Sequence, residues 1–205
     1  MKKINVLFAL CSLCSLAASA QSTGATSAQK ETKLPPSKVD FDVFETLTKE
    51  VKEYRKNRLV SLATFLSYAK EKNTIMLDTR STEMYNRKHV KGAIHLDFSD
   101  FTEANLRSLI PSADTRILIY CNNNFSDDRF RFATKSIAPK ISGPTKEITL
   151  ALNIPTFINL YGYGFKNVYE LADLVSVRDP SIQFEGSDVI KQLPTSQVAP
   201  KQGTN

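Results

Sequence analysis

The chain has 205 residues, of which 41% are hydrophobic and 23% charged, enough for one compact domain with its own core. Its 27 Lys and Arg against 21 Asp and Glu give a formal net charge of +6, which is only mildly basic. Seven Gly, nine Pro and no repeating period exclude collagen, coiled-coil and solenoid architectures. With two His and three Cys in all, a zinc cluster is not expected, and we predict no metal and no cofactor.

Residues 1–20 have the three parts of a secretory signal peptide. Two lysines follow the first Met, residues 4–16 form an apolar run too short to span a bilayer, and Ala-Ser-Ala forms a cleavage site. A lipoprotein signal that uses Cys11 or Cys14 is the alternative, although leucine rather than a small residue precedes each. We therefore expect a periplasmic or secreted protein, not inserted in a membrane after cleavage, that keeps only Cys121.

The rest of the chain divides by composition into a lead, a folded part and a tail. Residues 21–38 are rich in Ser, Thr, Ala, Lys and Pro, which predicts a flexible lead. Apolar residues then recur at steps of three and four, which predicts an amphipathic helix at residues 39–58. The acids interleaved with its bases argue against a nucleic-acid partner. Residues 179–205 are polar and irregular, so they are predicted to be a loosely held tail.

Between these segments, predicted strands alternate with predicted helices. Residues 74–77 form a short continuous apolar run, typical of a strand buried on both faces. The strongest predicted strand is the uninterrupted, β-branched segment 116–120, and a last strand is predicted at residues 167–169. Helices are predicted after Ser61, near Ser81 and near Asp100, and a last helix is predicted after a cap at Asn153 or Ile154. This alternation predicts an α/β fold with a mostly parallel sheet between helices.

Cys121 directly follows the strand predicted at residues 116–120. Ligands of open α/β sheets bind beyond the carboxyl ends of the strands, which favours a reactive thiol over an inert buried one. The three Asn residues that follow tolerate positive φ, so residues 122–126 are predicted to turn their amide N–H groups inward as an anion cradle. A plain polar turn is the alternative. A cradle of this kind would lower the pKa of the Cys121 thiol.

Four ordered motifs resemble those of the rhodanese-like domain family. They are Ile75-Met76-Leu77-Asp78-Thr79-Arg80, His89-Val90-Lys91-Gly92-Ala93-Ile94-His95-Leu96, Arg116-Ile117-Leu118-Ile119-Tyr120-Cys121 and Gly164-Phe165-Lys166-Asn167-Val168-Tyr169. The resemblance covers roughly residues 59–175, and a rhodanese-like domain is predicted at residues 59–178. It implies a parallel sheet flanked by helices on both faces, here with an extra N-terminal helix.

The resemblance also implies a sulfurtransferase-type enzyme. The Cys121 thiolate would take the outer sulfur of a small donor such as thiosulfate and pass it, as a persulfide, to an unknown thiol or protein acceptor. Asp78 and Arg80 are expected to be scaffold joined by a charge-assisted hydrogen bond, His89 to be structural, and Arg129 to be the first cation after the loop. The backbone of the loop would form the anion and substrate cradle, with Asn122, Asn123, Asn124, Phe125 and Ser126 as its residues.

The sequence departs from the family pattern after the cysteine loop. Asp127 and Asp128 stand where family loops carry cations, and they are expected to oppose the entry of an anion. Because an acid cannot replace a guanidinium fork, Asp127 also argues against a phosphatase. Residues 127–147 are interpreted as an insertion, which is either a lid for an unusual substrate or a sign that sulfur chemistry is lost. The alternatives to sulfur transfer are therefore an inactive binding module and a thiol redox sensor.

Overall fold

The structure is a computed structural model that describes residues 34–137 and 148–189. The predicted signal peptide, most of the lead, residues 138–147 of the predicted insertion and the end of the tail lie outside the described residues. The helices are α1 (Phe41–Tyr54), α2 (Leu62–Tyr68), α3 (Thr82–Arg87), α4 (Glu103–Leu109) and α5 (Asn153–Gly162). The strands are β1 (Leu59–Val60), β2 (Thr74–Asp78), β3 (His89–Val90), β4 (Ile94–His95), β5 (Arg116–Ile119), β6 (Ser136–Ile137), β7 (Ile148–Thr149), β8 (Val168–Leu171) and β9 (Phe184–Glu185). Short 3₁₀ turns occupy Arg55–Arg58, Phe98–Asp100 and Asn122–Asn124.

Five strands form one parallel sheet in the order β1-β8-β5-β2-β4. The strand β5 lies at its centre, where Ile119 pairs with Leu77 of β2 on one side and with Glu170 of β8 on the other. Because all five strands run in the same direction, their carboxyl ends meet at one edge of the sheet. Cys121 follows β5 by two residues and therefore lies at this edge.

Alternate side chains of β5 face two separate apolar clusters. Ile117 and Ile119 are buried in a cluster that also contains residues of α1, α4 and α5. Leu118 and Tyr120 are buried in the second cluster, together with Phe65 of α2. Helices therefore cover both faces of the sheet, which confirms the predicted α/β fold.

The helix predicted ahead of the sheet is confirmed as α1. Asp40 caps it by accepting the Val43 N–H at 3.0 Å, and its inner face packs on α5. The Tyr54 ring meets the Tyr161 ring edge-on at 5.0 Å between centroids. A Cβ atom on Gly162 would lie 2.9 Å from Leu47 Cδ2 of α1, so a larger residue at this position would require the Leu47 side chain to shift.

Two local expectations differ from the structure. Asn153 does not cap α5; Leu152 occupies that position, and the Asn153 side chain lies inside the fold. The segment from residue 179 to 189 is not a loose tail, because Ile182 is buried and β9 pairs antiparallel with β3. A two-residue strand is too short to show an alternating pattern in the sequence, so it could not be predicted. In the described ranges, no helix has the length and apolar character needed to cross a membrane.

The packing of α5 predicts a large effect of Phe157→Ala. Phe157 is fully buried between α1 and the sheet, so the truncation leaves a cavity and should lower the free energy of unfolding by about 3–5 kcal/mol. Urea denaturation measures this loss. Phe130→Ala is the matched control, since Phe130 is 80% exposed and its removal should change stability by less than about 0.5 kcal/mol. Equal effects of the two substitutions would contradict this packing.

Candidate active site

Cys121 lies at the wall of a small cavity at the carboxyl edge of the sheet. The cavity has a volume of about 190 Å³. The thiol is held on two sides, because its S–H donates to Asn153 Oδ1 at 3.4 Å and its sulfur accepts the Asn123 N–H at 3.3 Å. The cavity is lined by Arg80, Ser81, Met84, Cys121, Asn122, Asn123, Lys135 and Leu152.

The loop after Cys121 does not turn all its amides toward the sulfur. The N–H of Asn124 donates to the Cys121 carbonyl, that of Phe125 to the Asn122 carbonyl, and that of Ser126 to the Val175 carbonyl. Residues 122–124 form a 3₁₀ turn with negative φ, rather than the positive-φ curl expected from three Asn residues. Of the predicted inward N–H groups of the loop, the Asn123 N–H hydrogen-bonds to the sulfur, and the backbone N–H groups of Asn124 and of Asn153 on α5 also lower the pKa of the thiol.

The pKa of the Cys121 thiol is raised in the structure, whereas the sequence analysis predicts that it is lowered. The residue is 2% exposed, and burial raises the pKa of its thiol above the ordinary value. The backbone N–H groups of Asn123, Asn153 and Asn124 lower the pKa and the Glu170 carboxylate raises it, but the lowering does not outweigh burial. Cys121 is therefore mainly a neutral thiol at neutral pH.

The five residues of the predicted cradle occupy different positions. Asn122 and Asn123 line the cavity. The buried Asn124 side chain accepts the Cys121 N–H at 2.9 Å and donates to the Leu171 carbonyl at 2.8 Å, so it ties the loop to β8. Phe125 packs in the second apolar cluster, and the Ser126 hydroxyl bonds with the Val175 carbonyl. The last three residues support the loop from behind and do not line the cavity.

Three residues that the sequence analysis did not select stand behind the thiol. The Asn153 amide donates to the Glu170 carboxylate, and both oxygens of that carboxylate accept from the Arg55 guanidinium. Glu170 is 2% exposed, although it lies in an otherwise apolar strand. A carboxylate in a buried strand was the one sequence signal that could have identified this group, because such a charge needs a partner.

Asp78 and Arg80 form a buried ion pair next to the cavity. Arg80 Nη2 donates to Asp78 Oδ2 at 2.6 Å, and the Tyr120 hydroxyl donates to the same oxygen at 2.6 Å. The guanidinium also donates to the Lys88 and Arg131 carbonyls. All its charge is directed into the fold, which matches a scaffold role. Burial, followed by the charge of Asp78, raises the pKa of Tyr120 well above its ordinary value, so this hydroxyl stays a donor.

His89 and Arg129 lie away from the thiol. His89 Nδ1 bonds with the Tyr85 carbonyl at 2.7 Å, and its ring stacks on the Tyr85 ring at 3.8 Å between centroids. His89 is therefore placed for packing and does not line the Cys121 cavity. Arg129 is exposed and lines a separate open hollow with Asp127.

The two acids after the loop are held as carboxylates by local hydrogen bonds and an ion pair. Asp128 Oδ2 accepts from Lys88 Nζ at 2.9 Å. Asp127 accepts the Ser176 hydroxyl at 2.7 Å and the Val177 N–H at 2.8 Å, and these bonds keep the pKa of its carboxyl below the ordinary value. Neither acid lines the cavity, so the expected repulsion of an entering anion does not arise there. The predicted insertion instead contributes Lys135, whose N–H donates to Asn123 Oδ1 at 2.8 Å.

A family model that spans most of the sheet and the cysteine loop identifies the family of the chain. The family model of the rhodanese-like domain matches residues 61–173, so the chain belongs to the rhodanese-like domain family. This segment runs from the cap of α2 to just beyond β8, and it includes the whole Cys121 loop. In the described residues, no group of three His, Cys, Asp or Glu side chains is arranged to hold a metal ion.

No curated protein matches the sequence. Among solved structures, the chain is similar to the BH2092 protein from Bacillus halodurans, with 18% sequence identity and a TM-score of 0.42. The match covers 68% of this chain and 86% of that protein.

The scaffold ion pair predicts a strong effect of Asp78→Asn. Without the carboxylate, the Arg80 guanidinium remains buried and uncompensated, so the free energy of unfolding should fall by about 3–5 kcal/mol. Urea denaturation of the variant checks the loss. Glu103→Gln is the control: its partner Arg107 is exposed, so that loss should be within about 0–1 kcal/mol. A mild effect of Asp78→Asn would mean that Arg80 finds other compensation.

Proposed function

We propose that the protein is a sulfurtransferase that carries sulfane sulfur as a persulfide on Cys121. The observation that carries this proposal is the position of Cys121 in a rhodanese-like domain, at the carboxyl end of the central strand and in the wall of a cavity. The Asn123 N–H already contacts the sulfur and would stabilise negative charge on it. The donor and acceptor are a small sulfur compound and a thiol, free or on a protein.

The proposed reaction has two displacement steps. Cys121 first gives its proton to water, and its thiolate attacks the outer sulfur of a donor such as thiosulfate. The new bond joins Sγ to the outer sulfur, and the sulfur–sulfur bond of the donor breaks, so sulfite leaves with the electron pair. An acceptor thiolate then attacks the outer sulfur of the persulfide. The Cys121 thiolate leaves, and the acceptor carries the sulfur.

The size and charge of the cavity favour a small anionic donor. A volume of about 190 Å³ admits a few heavy atoms beside the cysteine. The Arg80 charge is used by Asp78 and by two carbonyls, so Lys135 is the cation left to attract an anion among the described residues that line the cavity. We propose that Lys135 guides the donor toward the sulfur.

One observation favours an inactive binding module as a second candidate function. The Cys121 thiol is almost fully buried and its pKa is raised, and both properties slow nucleophilic attack. The same raised pKa argues against a thiol redox sensor, which needs an exposed thiolate. On the strength of the predicted signal peptide, we also propose that the protein acts outside the cytoplasm.

Sulfur uptake tests the proposed function directly. The intact mass of the purified protein should increase by one sulfur atom after thiosulfate or polysulfide treatment, and cyanide should remove the adduct because it accepts sulfane sulfur. Cys121→Ser should abolish the gain, whereas in the full-length chain that retains residues 1–20 the double variant Cys11→Ser/Cys14→Ser should keep it. If wild type with a free thiol gains no sulfur from either donor, the binding module replaces this proposal.

The role of Lys135 predicts a selective kinetic effect. Lys135→Met removes the cation at the cavity, so the rate constant for sulfur uptake from thiosulfate should fall by roughly threefold to tenfold at low ionic strength. The difference should shrink when salt is added, since salt screens exposed charges. Lys49→Met is the control on exposed α1, where the charge pairs with Glu45. Equal rates for the Lys135 variant and wild type at all salt concentrations would contradict the proposed guidance.

A further inference from the structure

A continuous array of hydrogen bonds connects the end of α1 to the cysteine through half-buried Arg55 and two buried side chains. The Arg55 guanidinium donates to both oxygens of Glu170, Glu170 accepts from the Asn153 amide, and Asn153 Oδ1 accepts the Cys121 S–H at 3.4 Å. Asn153, Glu170 and Cys121 are all buried. The array joins the 3₁₀ turn after α1, the strand β8, the start of α5 and the cysteine loop.

The array fixes which end of the Asn153 amide faces the sulfur. A carboxylate that is paired with a guanidinium only accepts hydrogen bonds, so the Asn153 group that meets Glu170 has to be its NH₂. The carbonyl oxygen of the same amide then faces Cys121. A carbonyl oxygen accepts a thiol proton but repels a thiolate, since both carry negative charge.

We propose that Asn153 is a positioning residue for Cys121, and that the Arg55–Glu170 ion pair orients its amide so that the sulfur keeps its proton in the resting protein. This inference rests on the proposed role of Cys121 as the nucleophile. It gives the buried Glu170 a function other than stability, because a buried ion pair by itself adds little stability. The resting thiol is thereby held unreactive toward chance electrophiles until a donor supplies compensating interactions.

The charges around the sulfur act in opposite directions. In the described part of the chain, Glu170 of β8 favours the neutral thiol, whereas Lys135 and Arg80 at the cavity favour the thiolate. Arg80 is paired with Asp78 and Lys135 is exposed, so both cations act weakly on the sulfur. Arg55 contributes through Glu170, whose charge it fixes in place. Burial has the largest effect and Glu170 adds to it, whereas the backbone N–H groups of Asn123, Asn153 and Asn124 oppose them. The net result is a raised pKa of the Cys121 thiol.

The pH dependence of Cys121 alkylation tests this inference. The full chain is treated with iodoacetamide over a range of pH, and peptide mass spectrometry separates Cys121 from Cys11 and Cys14. The midpoint of the rate profile is the informative quantity, because a change in access alters the rate at every pH but leaves the midpoint in place. The wild-type midpoint should lie above that of an ordinary thiol, which is about 8.5.

Glu170→Gln should move this midpoint down by about one pH unit, and the rate at neutral pH should rise about tenfold. The substitution removes the negative charge and allows the Asn153 amide to turn its NH₂ group toward the sulfur. The double variant Arg55→Gln/Glu170→Gln leaves no unpaired charge in the core, so it keeps the test valid if the single variant unfolds. It should show a downward shift as well.

Glu50→Gln is the matched control. This carboxylate contacts Tyr161 on the outer side of α5, away from the cysteine, so the midpoint should stay at the wild-type value. If the folded Glu170 variants keep the wild-type midpoint and lose only stability, the array is purely structural and the inference is wrong. Alkylation requires no sulfur donor, so this result is independent of the sulfur-uptake experiment.

Discussion

The buried ion pair between Asp78 and Arg80 holds the carboxyl edge of the sheet together. Asp78 ends β2, and it accepts from the Arg80 side chain, the Arg80 backbone N–H and the Tyr120 hydroxyl. Arg80 then donates to the carbonyls of Lys88 and Arg131. One pair of charges thus joins two adjacent strands, the segment before β3 and the predicted insertion. The stability of this pair depends on a complete set of hydrogen bonds, because burying a guanidinium is costly unless nearly every N–H has an acceptor.

A second ion pair, between Arg55 and Glu170, lies on the other side of β5. The two pairs differ in what they do to the cysteine between them. Asp78 and Arg80 act on Tyr120, whose side chain points to the opposite face of the sheet from the adjacent Ile119. The Arg55–Glu170 pair acts on the sulfur itself, through the Asn153 amide. The Asp78–Arg80 pair holds the end of β5 through Tyr120. In the proposed arrangement, the Arg55–Glu170 pair keeps the Cys121 thiol protonated.

The fold could be predicted from the sequence because its main strands are long enough to show a pattern. Residues 117–119 form an uninterrupted apolar run, and β5 occupies the centre of the sheet, as expected for such a run. The contacts around the thiol could not be predicted in the same way. Asn153 is a residue type that often caps helices, and its neighbours in the sequence do not indicate that its side chain contacts a cysteine 32 positions away. Phe125 belongs to the residues of the predicted cradle, but its side chain packs in the second apolar cluster.

The contacts of the predicted insertion give the two acidic residues after the loop a different role from the one that the sequence suggests. In the sequence, Asp127 and Asp128 adjoin the cradle and suggest a site hostile to anions. In the fold, Asp128 is paired with Lys88 and Asp127 with groups after β8, while buried Phe132 anchors the same segment in the core beside Phe125. These contacts carry the chain back over the cysteine loop, so that Lys135 reaches the cavity and its backbone bonds with Asn123. The acids therefore anchor a segment that places the positively charged Lys135 in the wall of the cavity.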